Sequence, residues 1–141
     1  MTKISIVTPT FNEEGNIQKL CAGIKSEMVK LNLDYEHIVI DNCSTDNTIN
    51  LLKEICVNDK NVKVIINTKN FGHIKSPFHG ILQSSGDACI LMASDFQDPL
   101  DLIPTYIEKW QAGSKIVLGK KKNSDENSLI FSLRKFFYKF L

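Results

Sequence analysis

Apolar residues run along this chain in two alternating rhythms. Short, nearly continuous β-branched runs are separated by longer stretches in which apolar positions recur every three or four residues. The first run is KISIVTP, Lys3 to Pro9. Lacking polar alternation, it suits a strand covered on both faces, as in a parallel sheet. Behind it, Ile17, Leu20, Cys21, Ile24, Met28 and Leu31 predict an amphipathic helix. The pattern then repeats. YEHIVID (Tyr35 to Asp41) predicts a second strand, and Ile49, Leu52 and Cys56 mark the inner face of the next helix, with Ser44 or Thr45 as its N-cap. VKVIIN (Val62 to Asn67) predicts a third strand. A helix ending near Ser85 follows, starting as late as Ser76 so that Pro77 falls in its first turn. GDACILMAS (Gly86 to Ser94) predicts a fourth strand. A helix starting at Asp98-Pro99 and closed by Gly113 comes next, then a fifth strand, KIVLG. A polar loop leads to a last helix, SLIFSLRKFFYKFL.

Strands alternating with helices imply right-handed βαβ units and a mostly parallel sheet with helices on both faces. The predicted strand order is 3-2-1-4, with the fifth strand at or near the far edge. In such sheets ligands bind beyond the carboxyl ends of the strands. Four polar groups occupy those ends: TFNEE, DNCSTD, NFGH and SDFQD. Topology alone therefore gathers them around one crevice.

Composition narrows this only a little. The 141 residues suggest one domain, divided here into residues 1–125 and an amphipathic C-terminal helix, 126–141. A formal net charge of +1 gives no bulk field for nucleic acid, and none is expected as a partner. No apolar run approaches the roughly 18 residues of a membrane span, and the N-terminus lacks a signal-peptide pattern. Cys21, Cys43, Cys56 and Cys89 form no CxxC pair and share no metal spacing with His37, His73 or His79. They read as buried free thiols of a reducing cytoplasm.

Candidate chemistry concentrates at the strand ends. Asp95, just past an apolar strand, would be desolvated unless paired, and a divalent cation such as Mg²⁺ or Mn²⁺ would resolve that. Asp98 before Pro99 reads either as a helix cap or as a second metal ligand. Asp41 suits turn chemistry, or a hydrogen bond to a base or ribose. Glu13 and Glu14 can favour a helix N-terminus through its dipole. Lys120, Lys121 and Lys122 form a solvated loop or meet phosphates. The GxGxxG and GxxxxGK[ST] fingerprints are absent, which argues against dinucleotide cofactors and P-loop nucleotides.

The segments VTPTFNEEGNI, VIDNCSTDNT, NFGH and SDFQDP, in this order and spacing, resemble the family 2 glycosyltransferases of GT-A fold. The segment QDPLDLIPTYIEKWQAGSKIVLGKKK is similar to the branch that makes polyprenyl-phosphate sugars, such as the dolichol-phosphate mannose synthases. The resemblance implies a Rossmann-like domain that binds a nucleotide diphosphate sugar, truncated after about five strands. It implies donor contacts from Pro9, Thr10, Phe11, Asn12, Glu13, Asp41, Asn42, Ser44, Asn70, His73, Ser94, Asp95, Gln97 and Lys120. It implies a divalent cation, Mg or Mn, on Asp95 with Asp98, and a metal-assisted inverting transfer to a polyprenyl phosphate. A cytoplasmic location at the inner face of the membrane follows, and the bare sheet edge and apolar last helix suggest a homo-oligomer.

Two positions depart from the family pattern. Ala93 stands where its Asp-x-Asp motif has the first acid, and Asn42 follows Asp41 where paired acids are usual. No residue matches the family's catalytic base, so a non-catalytic nucleotide-sugar-binding or assembly module is the rival reading. A phosphoacceptor receiver domain shares the alternation, but Glu13 and Glu14 come too late and Asn67 replaces its acceptor Asp.

Overall fold

The computed structural model describes residues 2–120. Four parallel strands form one sheet: β1 (Lys3–Thr10), β2 (Asp34–Asp41), β3 (Val62–Ile66) and β4 (Ala88–Leu91), in the order β3-β2-β1-β4. Four helices connect and cover them: α1 (Ile17–Leu31), α2 (Thr48–Asn58), α3 (Gly72–Leu82) and α4 (Leu102–Gln111). The α/β alternation and the strand order agree with the sequence reading.

The sheet has two buried faces because its central strands carry apolar residues at successive positions. Ile4 and Ile6 of β1, Tyr35 and Val39 of β2 and Ile90 of β4 pack with Leu20, Ile24 and Met28 of α1, Leu52 of α2 and Ile103 of α4. On the other face, α3 lies close to the sheet at Gly80, where an added Cβ would come within 2.7 Å of Val7 and 3.3 Å of Ile40. Bringing a helix backbone that near is what a residue without a side chain permits.

At the amino end of the sheet, Glu36 is almost fully buried. Its carboxylate accepts hydrogen bonds from Ser5 Oγ at 2.6 Å and from the Ser85 N–H at 2.6 Å, and pairs with Lys63 Nζ at 2.6 Å and Lys3 Nζ at 3.5 Å. Burial alone would raise its pKa, but Lys63, Ser5 and Ser85 outweigh it and hold the carboxyl well below the usual range. This cluster ties the α3–β4 turn to β1 and β2.

Several local expectations are corrected. Residues Lys115–Gly119 do not form a fifth strand: Ile116 and Leu118 are exposed, and no strand pairs with the outer edge of β4 among the described residues. A groove of about 620 Å³ separates that edge from residues 114–119, so the backbone partner a strand needs is missing. Helix α3 starts at Gly72 and carries Pro77 in its interior. The carbonyl of His73, which Pro77 leaves without a helical donor, belongs to an exposed residue, so water can serve it. Helix α2 starts later than Ser44 or Thr45, with Asn47 at its N-cap. Helix α4 starts at Leu102 after Asp101, not at Asp98-Pro99, and Pro104 takes the first-turn position where no N–H is required. Its end is as expected: Gly113, at φ 102°, donates to Trp110 O while Ser114 donates to Lys109 O, a Schellman closure. All four cysteines are free, but only Cys21 is buried; Cys43 and Cys56 are half-buried and Cys89 is exposed. The final helix, Lys121 and Lys122 lie outside the described residues, as does the whole of the expected unit 126–141.

Candidate functional site

The loops that leave β1, β2, β3 and β4 all emerge from one end of the sheet, because every strand runs the same way. The first two are locked together by reciprocal bonds. The Asn12 N–H donates to Ser44 Oγ at 2.9 Å, and Thr45 N–H donates back to Asn12 Oδ1 at 2.8 Å. Further along, Glu13 N–H donates to Thr48 Oγ1 at 2.8 Å, Glu14 N–H to Asp46 Oδ2 at 3.1 Å, and Asn47 N–H to Glu14 Oε2 at 2.8 Å. Burial of Asp46 would raise its pKa, but the donors from Thr48 and Glu14 prevail and lower it.

Asp41 ends β2 fully buried. Its carboxylate accepts the Ser44 N–H at 3.0 Å and the Ser44 hydroxyl at 2.5 Å, both three residues further along the turn. Asn42 binds the third loop to the second. Its Nδ2 donates to Asn70 Oδ1 at 2.7 Å, and its Oδ1 accepts from Phe71 N–H at 2.9 Å and Asn67 Nδ2 at 3.2 Å. Asn67 also donates to Ser76 Oγ at 3.0 Å, and Asn70 Oδ1 accepts the Gly72 N–H at 2.8 Å.

The remaining candidates are less connected. Thr10 is buried with an unpartnered Oγ1 at the end of β1, and Pro9 beside it is half-buried. Phe11 is exposed, and Glu13 turns its Oε2 to Asn16 Nδ2 at 2.8 Å, within its own helix start. His73 is exposed on the first turn of α3, and Ser94 is buried just past β4. Asp95 is exposed rather than desolvated by its strand as expected, because β4 ends at Leu91 and a turn carries residue 95 out to solvent; its Oδ1 accepts Gln97 N–H at 3.1 Å and its Oδ2 accepts Gln97 Nε2 at 2.5 Å. Asp98 is half-buried, and its Oδ2 lies 3.5 Å from Ala93 N. Lys120 is exposed at the end of the described segment. Among the described residues no cluster of three or more His, Cys, Asp or Glu side chains could by itself hold a metal.

The structure adds Glu14, Asp46, Thr48, Asn67 and Phe71 to the residues that build these loops. Among the described residues, three of the four non-glycine residues with positive φ also lie here: Asn12 at 54°, Cys43 at 68° and Phe96 at 59°. Such conformations cost roughly 1–3 kcal/mol each and collect at functional sites.

This arrangement meets its match in known sequences: the family model described as glycosyl transferase family 2 covers residues 5–140. The chain belongs to that family. A bactoprenol glucosyl transferase of Shigella phage SfV is 36% identical over 138 residues, which are 97% of this chain and 45% of that relative. This family member therefore spans less than half the length of that curated relative. Glucosyl-3-phosphoglycerate synthase from Mycobacterium tuberculosis superposes with a TM-score of 0.62 at 27% identity, covering 82% of this chain and 43% of the other. A mannosyltransferase from Pyrobaculum calidifontis, in complex with GDP-Man and Mn²⁺, superposes at 0.57 and 18% identity, over 65% of this chain and 27% of the other. These likenesses agree with a Rossmann-like GT-A fold.

Proposed function

We propose that the crevice at the carboxyl ends of the strands binds a nucleotide diphosphate sugar for transfer to a polyprenyl phosphate. The observation that carries this reading is the exposed carboxylate of Asp95, just past β4, at the sheet end where three interlocked loops stand. The bactoprenol glucosyl transferases support the transfer and the lipid-borne acceptor. The base and ribose fall to the loops after β1 and β2, from Pro9 to Glu13, with Asp41, Asn42 and Ser44 shaping that site through their hydrogen bonds within the loops. Asn70, His73 and Lys120 complete the donor contacts, with Ser94 and Gln97 beside the diphosphate.

A divalent cation fits the donor set. Mg²⁺ and Mn²⁺ take hard oxygen ligands and are held by one or two carboxylates plus phosphate oxygens, so a third protein acid is not required. Asp95, with Asp98, would hold the ion, and the Mn²⁺ present with GDP-Man in the Pyrobaculum calidifontis mannosyltransferase of like fold is consistent with this choice. When bound, it would offset charge on the departing nucleotide diphosphate. Turning Gln97 Nε2 away would clear Asp95 Oδ2 for the ion and leave that amide free to meet a phosphate oxygen.

Ala93, in place of the family's first acid, favours the second reading, a module that binds donor without turnover. Calorimetric titration of UDP and GDP with and without Mn²⁺ tests the site. Metal-dependent affinity abolished by Asp95→Ala supports it; equal binding by that variant removes the metal role. Measuring sugar transfer beside binding separates catalysis from binding alone.

A further inference from the structure

Helix α3 buries Ser76, Pro77 and Gly80 against the sheet, yet its outer face is also apolar. Ile74, Phe78 and Leu82, at successive four-residue steps, are 71%, 60% and 65% exposed. Ile66 and Phe71, also exposed, line a pocket with Lys75 and His79 on one side of α3. A contiguous exposed patch of this kind marks a contact surface.

Charge says what kind of contact. Between Asp59 and Asp87 the sequence contains no acid, although the chain has 16 Asp and Glu residues. Lys75 and His79 border the stripe on α3, and Lys69 stands over the Phe71 ring, 5.2 Å from its centroid. In the sheet under α3, Glu36 is buried and balanced by Lys63 and Lys3, and Asp87 accepts the Lys3 N–H at 2.9 Å. The surface is thus apolar at its centre and cationic at its border. A two-fold contact between copies would set like charges against each other, and an exposed aliphatic stripe gives nothing to nucleic acid. An anionic bilayer surface satisfies both halves: it takes apolar side chains at the acyl boundary and lysines at the headgroups.

We propose that the α3 face, with Ile74, Phe78 and Leu82 inserted and Lys69 and Lys75 at the headgroups, docks this protein on an anionic membrane surface. This stands on the patch itself and does not rest on sugar transfer.

The test is co-sedimentation of the full chain with vesicles of phosphatidylcholine alone and of an equimolar mixture with phosphatidylglycerol. A Leu129→Ser, Ile130→Ser, Phe131→Ser, Leu133→Ser, Phe136→Ser, Phe137→Ser, Phe140→Ser, Leu141→Ser background removes most of the apolar character of the C-terminal segment. Binding to the anionic vesicles is expected to vanish with Ile74→Ser, Phe78→Ser. It should fall about 25-fold with Lys69→Gln, Lys75→Gln, at roughly five-fold per lysine. Equal binding by either pair, equal binding to phosphatidylcholine alone, or α3-dependent dimerisation without vesicles would overturn the proposal. In the unsubstituted chain, hydrogen exchange over residues 72–82 should slow on adding anionic vesicles; unchanged exchange there would also overturn it.

Discussion

His37 makes the fold acid-sensitive in a defined window. It lies in β2, almost fully buried, with Nε2 3.0 Å from Thr8 Oγ1 and Nδ1 without a partner. Burial pushes its pKa down from 6.5 to about 4, only slightly opposed by the charge of Asp59. The unfolded chain therefore binds a proton that the folded chain refuses, and stability falls as pH drops from 6.5 toward 4, then levels off. The full gap corresponds to about 3 kcal/mol, by the usual conversion of a pKa difference into free energy. At about pH 5 some 2 kcal/mol of that is already lost, a large fraction of a marginal stability of roughly 5–15 kcal/mol. Glu36 contributes little in this window, since its stabilisation is lost only as pH falls below the ordinary carboxylate range. Denaturant unfolding at about pH 7.5 and 5 measures the difference directly. His37→Gln keeps a polar group facing Thr8 but does not titrate, so its two stabilities should agree within about 0.5 kcal/mol. A variant with the same pH dependence as the parent would refute the assignment.

The remaining predictions concern the two ends of the sheet. Lys63→Met removes one of the cations beside Glu36; because Lys63 is half in water, the loss at neutral pH should be only about 1 kcal/mol. The same variant should begin acid unfolding at a higher pH than the parent, read by circular dichroism across a pH series, since its Glu36 pKa is less depressed. Asn42→Asp removes the amide that donates to Asn70, so hydrogen exchange at residues 67–72 should quicken and nucleotide affinity should drop about five-fold. Ala93→Asp should tighten Mn²⁺ binding in calorimetry if position 93 aligns with the first acid of the family's motif; unchanged affinity would show that it does not.

The central sheet was legible because β1 to β4 need only their own apolar runs and the handedness of βαβ units to find their order. The segment KIVLG has the same strand-like composition and forms none, because a strand is defined by its partner and β4 offers 115–119 no hydrogen bonds across the groove. The Asp98-Pro99 and Pro77 readings failed differently. Each applied a sound local rule, but packing decided the outcome: Ile103 and Ile107 draw the start of α4 downstream to Asp101, and Pro77 and Gly80 together fit α3 against β1 and β2. At the site, parallel topology foretold that TFNEE, DNCSTD and NFGH would share one end. It could not tell ligand-facing side chains from loop-building ones, since Asn, Asp, Ser and Thr serve both uses. Asp41, Asn42 and Ser44 already have their hydrogen-bonding atoms in the loop network, whereas Phe11, Asp95 and Gln97 are exposed.

That division bears on how the crevice works. Cys43 and Phe96 hold left-handed conformations that disfavour residues with a Cβ, at about 1–2 kcal/mol each. Cys43 turns the chain immediately before Ser44, whose N–H and hydroxyl both return to Asp41 and whose Oγ also accepts from Asn12. Phe96 lies between Asp95 and Gln97, where the turn brings the Gln97 amide onto the Asp95 carboxylate. Strain in each case is held by bonds that would not form in an extended loop. A donor bound as proposed would meet loops already ordered, so less of its binding free energy would be consumed in fixing them. The adjustable part is Gln97: moving its side-chain amide off Asp95 frees Oδ2, while Oδ1 keeps the Gln97 N–H and the interlocked loops after β1, β2 and β3 are undisturbed.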